Sequence, residues 1–101
     1  MVEIKWTDFA IENLNAIGDY IEKDSFRYAE IVVNSIFDST YMLERHPLAG
    51  RMVPEFNDKN IRELIHGNYR IVYKVLNENR IDIITVHHSA RLLNDLPNSV
   101  F

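Results

Sequence analysis

Cysteine is absent from this sequence, so no disulfide can stabilise the fold, and the chain fits a reducing compartment. Its few glycines match neither a phosphate-binding loop nor a dinucleotide-binding turn. The sequence has no apolar run that approaches the length of roughly 20 residues needed to cross a bilayer. It also lacks the basic-then-apolar start that is typical of a signal peptide. These absences lead us to expect a cytoplasmic protein with no membrane segment and no cofactor.

Basic charge is also scarce. The chain carries 11 Lys and Arg against 15 Asp and Glu, which gives a net charge of −4. The deficit lies in residues 1–50, with four basic and nine acidic residues, whereas residues 51–101 hold seven basic and six acidic residues. Tight binding of bulk nucleic acid depends on neutralising phosphates and is therefore disfavoured. A local basic patch on the C-terminal half stays compatible with these counts.

What the sequence does contain is enough apolar material for one core. With 101 residues, 47% of them hydrophobic, it has the size and composition of a single domain over residues 1–101. Alternation in Val2–Trp6 predicts a strand, and the next two residues can cap a helix. Apolar residues at helical spacing extend that helix to about Lys23 and predict a second helix over Phe26–Arg45, which Pro47 ends.

The second half of the chain predicts a small antiparallel sheet. After a loop at 47–60, three strand-like runs are separated by tight turns: Ile61–His66, Tyr69–Val75 and Arg80–His88. The order β-α-α-β-β-β predicts an α+β fold, in which a helical hairpin packs on one face of a three-stranded antiparallel sheet. The first strand can join this sheet at the centre or at an edge. Residues 93–101 are either a flexible or docked tail or a partner-binding segment.

Cationic and polar side chains are concentrated on the predicted strands. Alternation puts Tyr69, Ile71 and Tyr73 on one face of a strand and Arg70 and Lys74 on the other. The plain interpretation is a tyrosine face in the core and a solvated basic face. The alternative is a recognition surface, on the side of the sheet that the helices leave bare, where guanidinium groups gather. The candidate residues for that surface are Arg51, Arg62, Arg70, Tyr73, His88 and Arg91.

Two of these arginines have simple structural alternatives. Arg62 can pair with Glu63 or, across strands, with Asp82, which contributes well under about 1 kcal/mol if the pair is exposed. Arg51 follows a turn glycine on a loop and can simply be solvated.

A metal site is not expected from the histidines. His87 and His88 are adjacent on a predicted strand and point to opposite faces, so they cannot share one ion. The sequence also lacks a nucleophile turn of the Gly-x-Ser-x-Gly kind. These patterns alone therefore assign no catalytic residue.

Four segments of the chain resemble successive motifs of the RelE/ParE toxin superfamily, and the ParE-like branch is the better match. They are Pro47-Leu48-Ala49-Gly50-Arg51, Ile61-Arg62-Glu63-Leu64, Tyr69-Arg70-Ile71-Val72-Tyr73 and Val86-His87-His88-Ser89-Ala90-Arg91. The resemblance covers roughly residues 2–93. It implies a bacterial toxin of a type II toxin-antitoxin system, of a kind that also stabilises plasmids. Such a toxin is neutralised by a cognate antitoxin and contacts DNA only through their complex.

The resemblance implies two alternative activities. ParE-like members inhibit DNA gyrase by protein–protein binding and need no catalytic set. The Tyr-Arg-Ile-Val-Tyr and His-x-x-Arg patterns are closer to these members, so this activity is preferred. RelE-like members cleave mRNA on the ribosome without a metal. By matching position, Arg62 and Arg70 would then clamp the phosphate and His88 would act as acid or base. A non-toxic remnant that only binds an antitoxin is the third alternative.

The same resemblance implies a surface for the antitoxin. We expect hydrophobic docking along the helical hairpin and the Leu92–Leu96 segment. Arg51, Arg62, Arg70 and Arg91 would take the carboxylates of the antitoxin.

Overall fold

The computed structural model of the protein describes residues 1–89. Arg91, the Leu92–Leu96 segment and the tail at 93–101 lie outside these residues, so the expectations about them stay predictions. In chain order the elements are β1 Glu3–Trp6, α1 Asp8–Glu22, α2 Phe26–Ser39, a 3₁₀ segment Thr40–Glu44, β2 Arg51–Met52, β3 Ile61–His66, β4 Tyr69–Asn77 and β5 Arg80–His88.

Both helices begin at a hydroxyl cap. The side chain of Thr7 accepts a hydrogen bond from the backbone N–H of Ala10, and that of Ser25 accepts one from Tyr28. Such caps satisfy amide groups that the first turn leaves without partners, and each contributes about 1 kcal/mol.

The second helix ends earlier than its apolar spacing predicts. It stops at Ser39, and residues 40–44 continue as a tighter 3₁₀ segment instead of reaching Arg45. The Ser39 hydroxyl donates to the carbonyl of Ile36, and the Thr40 hydroxyl donates to that of Phe37. Consecutive hydroxyl side chains thus compete with the backbone for carbonyl acceptors, which weakens the regular helix at this point.

The sheet has five strands in the described part of the chain, in the order β1-β5-β4-β3-β2. The prediction of a three-stranded antiparallel sheet is therefore wrong in strand number, although the α+β class is confirmed. The first strand joins at an edge and runs parallel to β5, with Ile4 opposite Ile81. The short strand β2 arises inside the expected loop because Arg51 pairs with Glu63 of β3.

The main core lies between the helical hairpin and one face of the sheet. The predicted alternation is confirmed, because Tyr69, Ile71, Tyr73 and Val75 all pack into this core. From the helices it is filled chiefly by Ala10, Leu14 and Ile36, and from β5 by Ile81, Ile83 and Val86.

The opposite face of the sheet is partly covered as well. A second cluster of Val53, Ile61 and Val72, with Phe9 and Phe56 against it, lies on that side. Val53 and Phe56 belong to the segment between β2 and β3, which folds over the sheet. The expectation of a bare, solvated basic face is therefore wrong: Val72 is fully buried and Arg70 is only 6% exposed.

The first helix also closes the edge of β5 that the short strand β1 leaves open. Thr7 donates a hydrogen bond to the carbonyl of Ile83 at 2.8 Å, and the Asn13 side-chain oxygen accepts one from the amide of Val86 at 3.2 Å. Edge groups of the sheet are satisfied in this way without another strand. No helix within residues 1–89 is long and apolar enough to cross a membrane.

Candidate functional site

The strand register divides the predicted site residues between the two faces of the sheet. Arg62 of β3 lies opposite Tyr73 of β4, on the face that the helices cover. Arg70 is three residues before Tyr73 and points to the other face, as does Arg51, which pairs with Glu63. The expectation that the guanidinium groups gather on one side of the sheet is therefore wrong.

Arg62 and Tyr73 together hold the loop that precedes β2. Arg62 donates from Nε to the carbonyl of Lys59 and from Nη1 to that of Gly50, both at 2.9 Å. The Tyr73 hydroxyl donates to the carbonyl of Pro47 and accepts from the amide of Gly50, also at 2.9 Å each. Two side chains on neighbouring strands thus fix the path of the segment from Pro47 to Gly50.

The buried phenol of Tyr73 is kept neutral by its surroundings. Burial raises the pKa of Tyr73 above its usual value of 10.0, and the hydrogen bond from Gly50 and the charge of Arg62 only partly oppose this. A neutral hydroxyl can donate and accept at the same time, as the two bonds to the loop require.

A buried ion-pair network occupies the other face. Glu63 is completely buried and accepts hydrogen bonds from Nε of Arg51 at 2.7 Å and from Nε of Arg70. The two terminal nitrogens of Arg70 bind both oxygens of Glu55, at 2.8 and 2.9 Å. The alternative in which Arg62 pairs with Glu63 or Asp82 is wrong. Glu63 binds Arg51 and Arg70, and Asp82 binds Arg80.

The electrostatics of Arg70 follow from these contacts. The pKa of Arg70 lies above its usual value, chiefly because of the hydrogen bonds to Glu55. Desolvation lowers the pKa, but the hydrogen bond to Glu63 raises it further. Two carboxylates thus hold one guanidinium in a fixed orientation with its charge fully compensated.

Glu55 and Glu63 are residues that the sequence interpretation did not single out. Glu63 did carry a signal, because it alternates with Ile61 and Ile65 on the same strand face. A carboxylate between two apolar neighbours in such a pattern indicates a buried ion pair. For Glu55 no comparable signal exists, since its position depends on the path of an irregular loop.

The two neighbouring histidines point to opposite faces, as predicted. His87 lies across from Arg70 and is buried, whereas His88 lies across from Tyr69 and is exposed. The His88 ring meets the Tyr69 ring edge-on, with 6.0 Å between their centroids. Within residues 1–89 no group of three His, Asp or Glu side chains could hold a metal ion.

The outer surface of the helical hairpin is rich in exposed apolar side chains. Phe37 lies between Trp6 and Tyr41, with ring-centroid distances of 5.3 and 5.7 Å. Further exposed apolar residues on the hairpin are Tyr20, Phe26, Tyr28 and Ile31. Clusters of exposed apolar side chains mark surfaces that bind other proteins, and the rings around Phe37 form such a cluster.

Several solved structures share this fold, and two of them come from toxin-antitoxin systems. One is from the "Chromosomal ParDE TA system from P. aeruginosa", with a TM-score of 0.72 and 23% identity, over 87% of this chain and 96% of that chain. The other is from the toxin-antitoxin complex RelBE2 of Mycobacterium tuberculosis, with a TM-score of 0.55 and 23% identity, over 86% of this chain and 96% of that chain. At these identities the likeness concerns the fold, which is one found among toxin-antitoxin proteins.

Sequence comparison gives the family. Residues 4–93 match the family described as "ParE toxin of type II toxin-antitoxin system, parDE". A relative from Sinorhizobium fredii, named "Putative toxin Y4kP", is 35% identical over 88 residues, which is 85% of this chain and 86% of the relative. The chain belongs to the ParE toxin family, and it is a toxin of the ParE/RelE type from a type II toxin-antitoxin system.

Proposed function

We propose that this toxin acts by binding DNA gyrase, and that a cognate antitoxin holds it inactive by covering its surface. Family membership supports the pairing with an antitoxin. The choice of a protein target over RNA cleavage is supported by the positions of the side chains that cleavage would need.

The observation that carries the proposal is the separation of Arg62, Arg70 and His88. Arg62 and His88 share the helical face, but their strand partners Tyr73 and Tyr69 are four residues apart. At about 3.3 Å per residue this is roughly 13 Å along the sheet. Arg70 points to the opposite face. Acid–base cleavage needs its groups within hydrogen-bond reach of one phosphate, and these three residues do not meet that condition.

The state of Arg70 supports the same conclusion. Its guanidinium is held by Glu55 and Glu63, so a phosphate would have to displace a two-point ion pair to reach it. The net charge of −4 also opposes association with RNA on the ribosome. Binding to a protein target requires neither displacement of the Arg70 ion pair nor association with RNA.

The exposed surface of the helical hairpin suits protein binding. Tyr28 and Ile31 of α2 and Tyr41 after it are each more than half exposed. Aromatic side chains bury a large area at little entropic cost and dominate many protein interfaces. We assign this surface to protein partners. Arg51, whose side chain is 59% exposed on the edge strand β2, offers a separate charged contact on the other face of the sheet.

The test compares two readouts for the same purified chain. We expect inhibition of DNA supercoiling by purified gyrase together with accumulation of cleaved DNA, and intact mRNA on translating ribosomes. In cells lacking the antitoxin, double-strand breaks and induced DNA repair should appear.

His88→Ala is the matched variant, because an exposed histidine can be removed without disturbing the core. It should leave the free energy of unfolding within about 0.5 kcal/mol of the wild-type value, as most exposed substitutions do. Codon-aligned mRNA cuts that vanish in His88→Ala would contradict the proposal and favour the ribosome-dependent nuclease. Normal growth with no DNA damage would favour the third alternative, a non-toxic antitoxin-binding remnant.

A further inference from the structure

A cleft lies at the end of the sheet that is formed by the β4–β5 turn and the loop before β2. Its volume is about 500 Å³. The apolar walls are Pro47, Leu48, Val75 and Leu76. Leu48 is 57% exposed and Leu76 is 43% exposed, so the walls present apolar surface to solvent.

The floor and rim of this cleft carry uncompensated positive charge. Arg62 lines it, with Nε and Nη1 bound to backbone carbonyls, and no residue among 1–89 accepts a hydrogen bond from its Nη2. Lys59 lies beside it, and no carboxylate of the described chain forms an ion pair with either cation. Glu78 is the acidic residue of the lining, so the cleft has a net charge of +1 within a protein of net charge −4.

The guanidinium of Arg62 is also fixed in place before any partner arrives. Its bonds to the carbonyls of Lys59 and Gly50 hold its plane, so Nη2 loses little freedom when it binds an acceptor. Interactions that are already ordered in the free protein contribute more to affinity.

The cleft continues into a second apolar depression. This depression, of about 430 Å³, is lined by His46, Pro47, Leu48 and Ala49. Pro47 and Leu48 line both depressions, which are therefore neighbours, and we name the two together the Pro47–Leu76 track. Both depressions are more open than enclosed, so they suit a chain lying along the surface more than a small molecule that needs enclosure.

We infer that the Pro47–Leu76 track docks an extended segment of the antitoxin in which a carboxylate side chain is followed by aliphatic residues. The carboxylate binds Nη2 of Arg62 and the ammonium of Lys59, and the aliphatic side chains cover Leu76 and Leu48. Charge complementarity selects this partner, since the track is cationic on an acidic protein. The inference rests on the proposed pairing with an antitoxin but not on the proposed gyrase target.

The experiment measures antitoxin affinity for purified variants of the full chain. The probe is the small protein whose co-expression restores growth, with dissociation constants taken by calorimetry at two salt concentrations. Lys59→Glu should weaken binding about tenfold and reduce its salt dependence. Lys5→Glu is the matched control, because Lys5 is an exposed lysine on β1 at the far edge of the sheet, and it should bind like the wild type.

A second pair of variants tests the apolar part of the track. Leu76→Asp should weaken binding about tenfold, whereas Leu76→Met keeps an apolar side chain of similar size and should stay within about twofold. Glu78→Lys removes the opposing charge and should tighten binding. Denaturation midpoints close to the wild-type value establish that each variant is folded.

The outcomes separate this inference from the proposed function. Wild-type affinity in folded Lys59→Glu and Leu76→Asp would overturn the docking site while leaving the gyrase proposal intact. Equal weakening by Lys59→Glu and Lys5→Glu would also overturn it, because the effect would then come from net charge alone. A wild-type chain that binds no antitoxin would overturn the docking site and the proposed pairing with an antitoxin, but not the proposed gyrase target.

Discussion

The backbone amide of Gly50 donates a hydrogen bond of 2.9 Å to the buried hydroxyl of Tyr73, on a strand more than twenty positions later in the chain. The same hydroxyl donates to the carbonyl of Pro47. Two segments that resemble family motifs, Pro47 to Arg51 and Tyr69 to Tyr73, are therefore halves of one structural unit. Tyr73, which the sequence made a partner-binding candidate, contacts the protein's own loop, so any effect on a partner would be indirect.

Replacing Tyr73 by phenylalanine should destabilise the protein by about 1–3 kcal/mol, because it leaves the buried amide of Gly50 and the carbonyl of Pro47 without a partner. For a chain of 101 residues each kcal/mol corresponds to a melting-temperature drop of roughly 4–8 °C. Thermal unfolding of Tyr73→Phe and the wild type measures this loss. The control is Tyr28→Phe on the exposed surface of α2, which should change stability by less than about 0.5 kcal/mol.

Alternation and capping predicted most of the fold because they act locally. The strand at Val2–Trp6, both helix starts and the three later strands follow from apolar spacing and from residues next to each element. Two features could not follow from local pattern. Strand β2 exists only because Arg51 pairs with Glu63, and the edge position of β1 depends on its register with β5.

The candidate site was less predictable for a related reason. Counting cations along strands shows where charge lies, but it does not show which carboxylate folds over it. Arg70 is neutralised by Glu55, which lies in an irregular loop, so the ion pair depends on tertiary structure. Arg62 and Arg70 were grouped because both are arginines on neighbouring strands. They are an even number of residues apart in the sequence, but a turn lies between them. The strand pairing after that turn puts the two side chains on opposite faces of the sheet.

Gly50→Ala should destabilise the protein strongly. A Cβ at this position would lie 2.5 Å from the carbonyl oxygen of Glu63 and 2.7 Å from the Tyr73 hydroxyl, so the backbone of β3 or the Tyr73 contact must shift. We expect a loss of about 2 kcal/mol or more, in the range of overpacked cores. Chemical denaturation gives the change.

Gly18→Ala is the contrasting substitution. Its added Cβ would meet only the Cγ2 methyl group of Val33, at 3.0 Å, and a side chain can adjust. Alanine also favours the helix by about 1 kcal/mol relative to glycine. Stability should therefore change by less than about 1 kcal/mol. A larger loss at Gly18 than at Gly50 would contradict the assigned contacts.

Stability should fall at alkaline pH because of Tyr73. Its pKa in the folded protein is raised above 10.0 by burial, while the unfolded chain ionises near 10.0. Above that pH the unfolded state has lost the proton that the folded state retains, so the free energy of unfolding decreases as pH rises. The contribution is fully present below pH 10.0 and is lost as pH rises through the folded value.

Two measurements check this pH dependence. The difference between the absorbance titrations at the phenolate band of the wild type and Tyr73→Phe isolates the ionisation of Tyr73, whose midpoint should lie above 10.0. Unfolding free energies of both proteins across the same pH range should converge as pH rises. A midpoint at or below 10.0 would show that the phenol is not held neutral by burial.

Removing the charge of Glu63 should be among the most destabilising single changes. Glu63→Gln leaves Arg70, whose side chain is only 7% exposed, without one of its two carboxylates. Breaking a buried ion pair from one side costs about 3–5 kcal/mol. Because glutamine keeps one acceptor oxygen, we expect a value near the lower end, about 3 kcal/mol. Asp82→Asn is the control, since the side chain of its partner Arg80 is 39% exposed and solvent screens such a pair, so the loss of stability should be small. Equal denaturation midpoints for the two variants would mean that the Glu63 network contributes no more to stability than a surface pair.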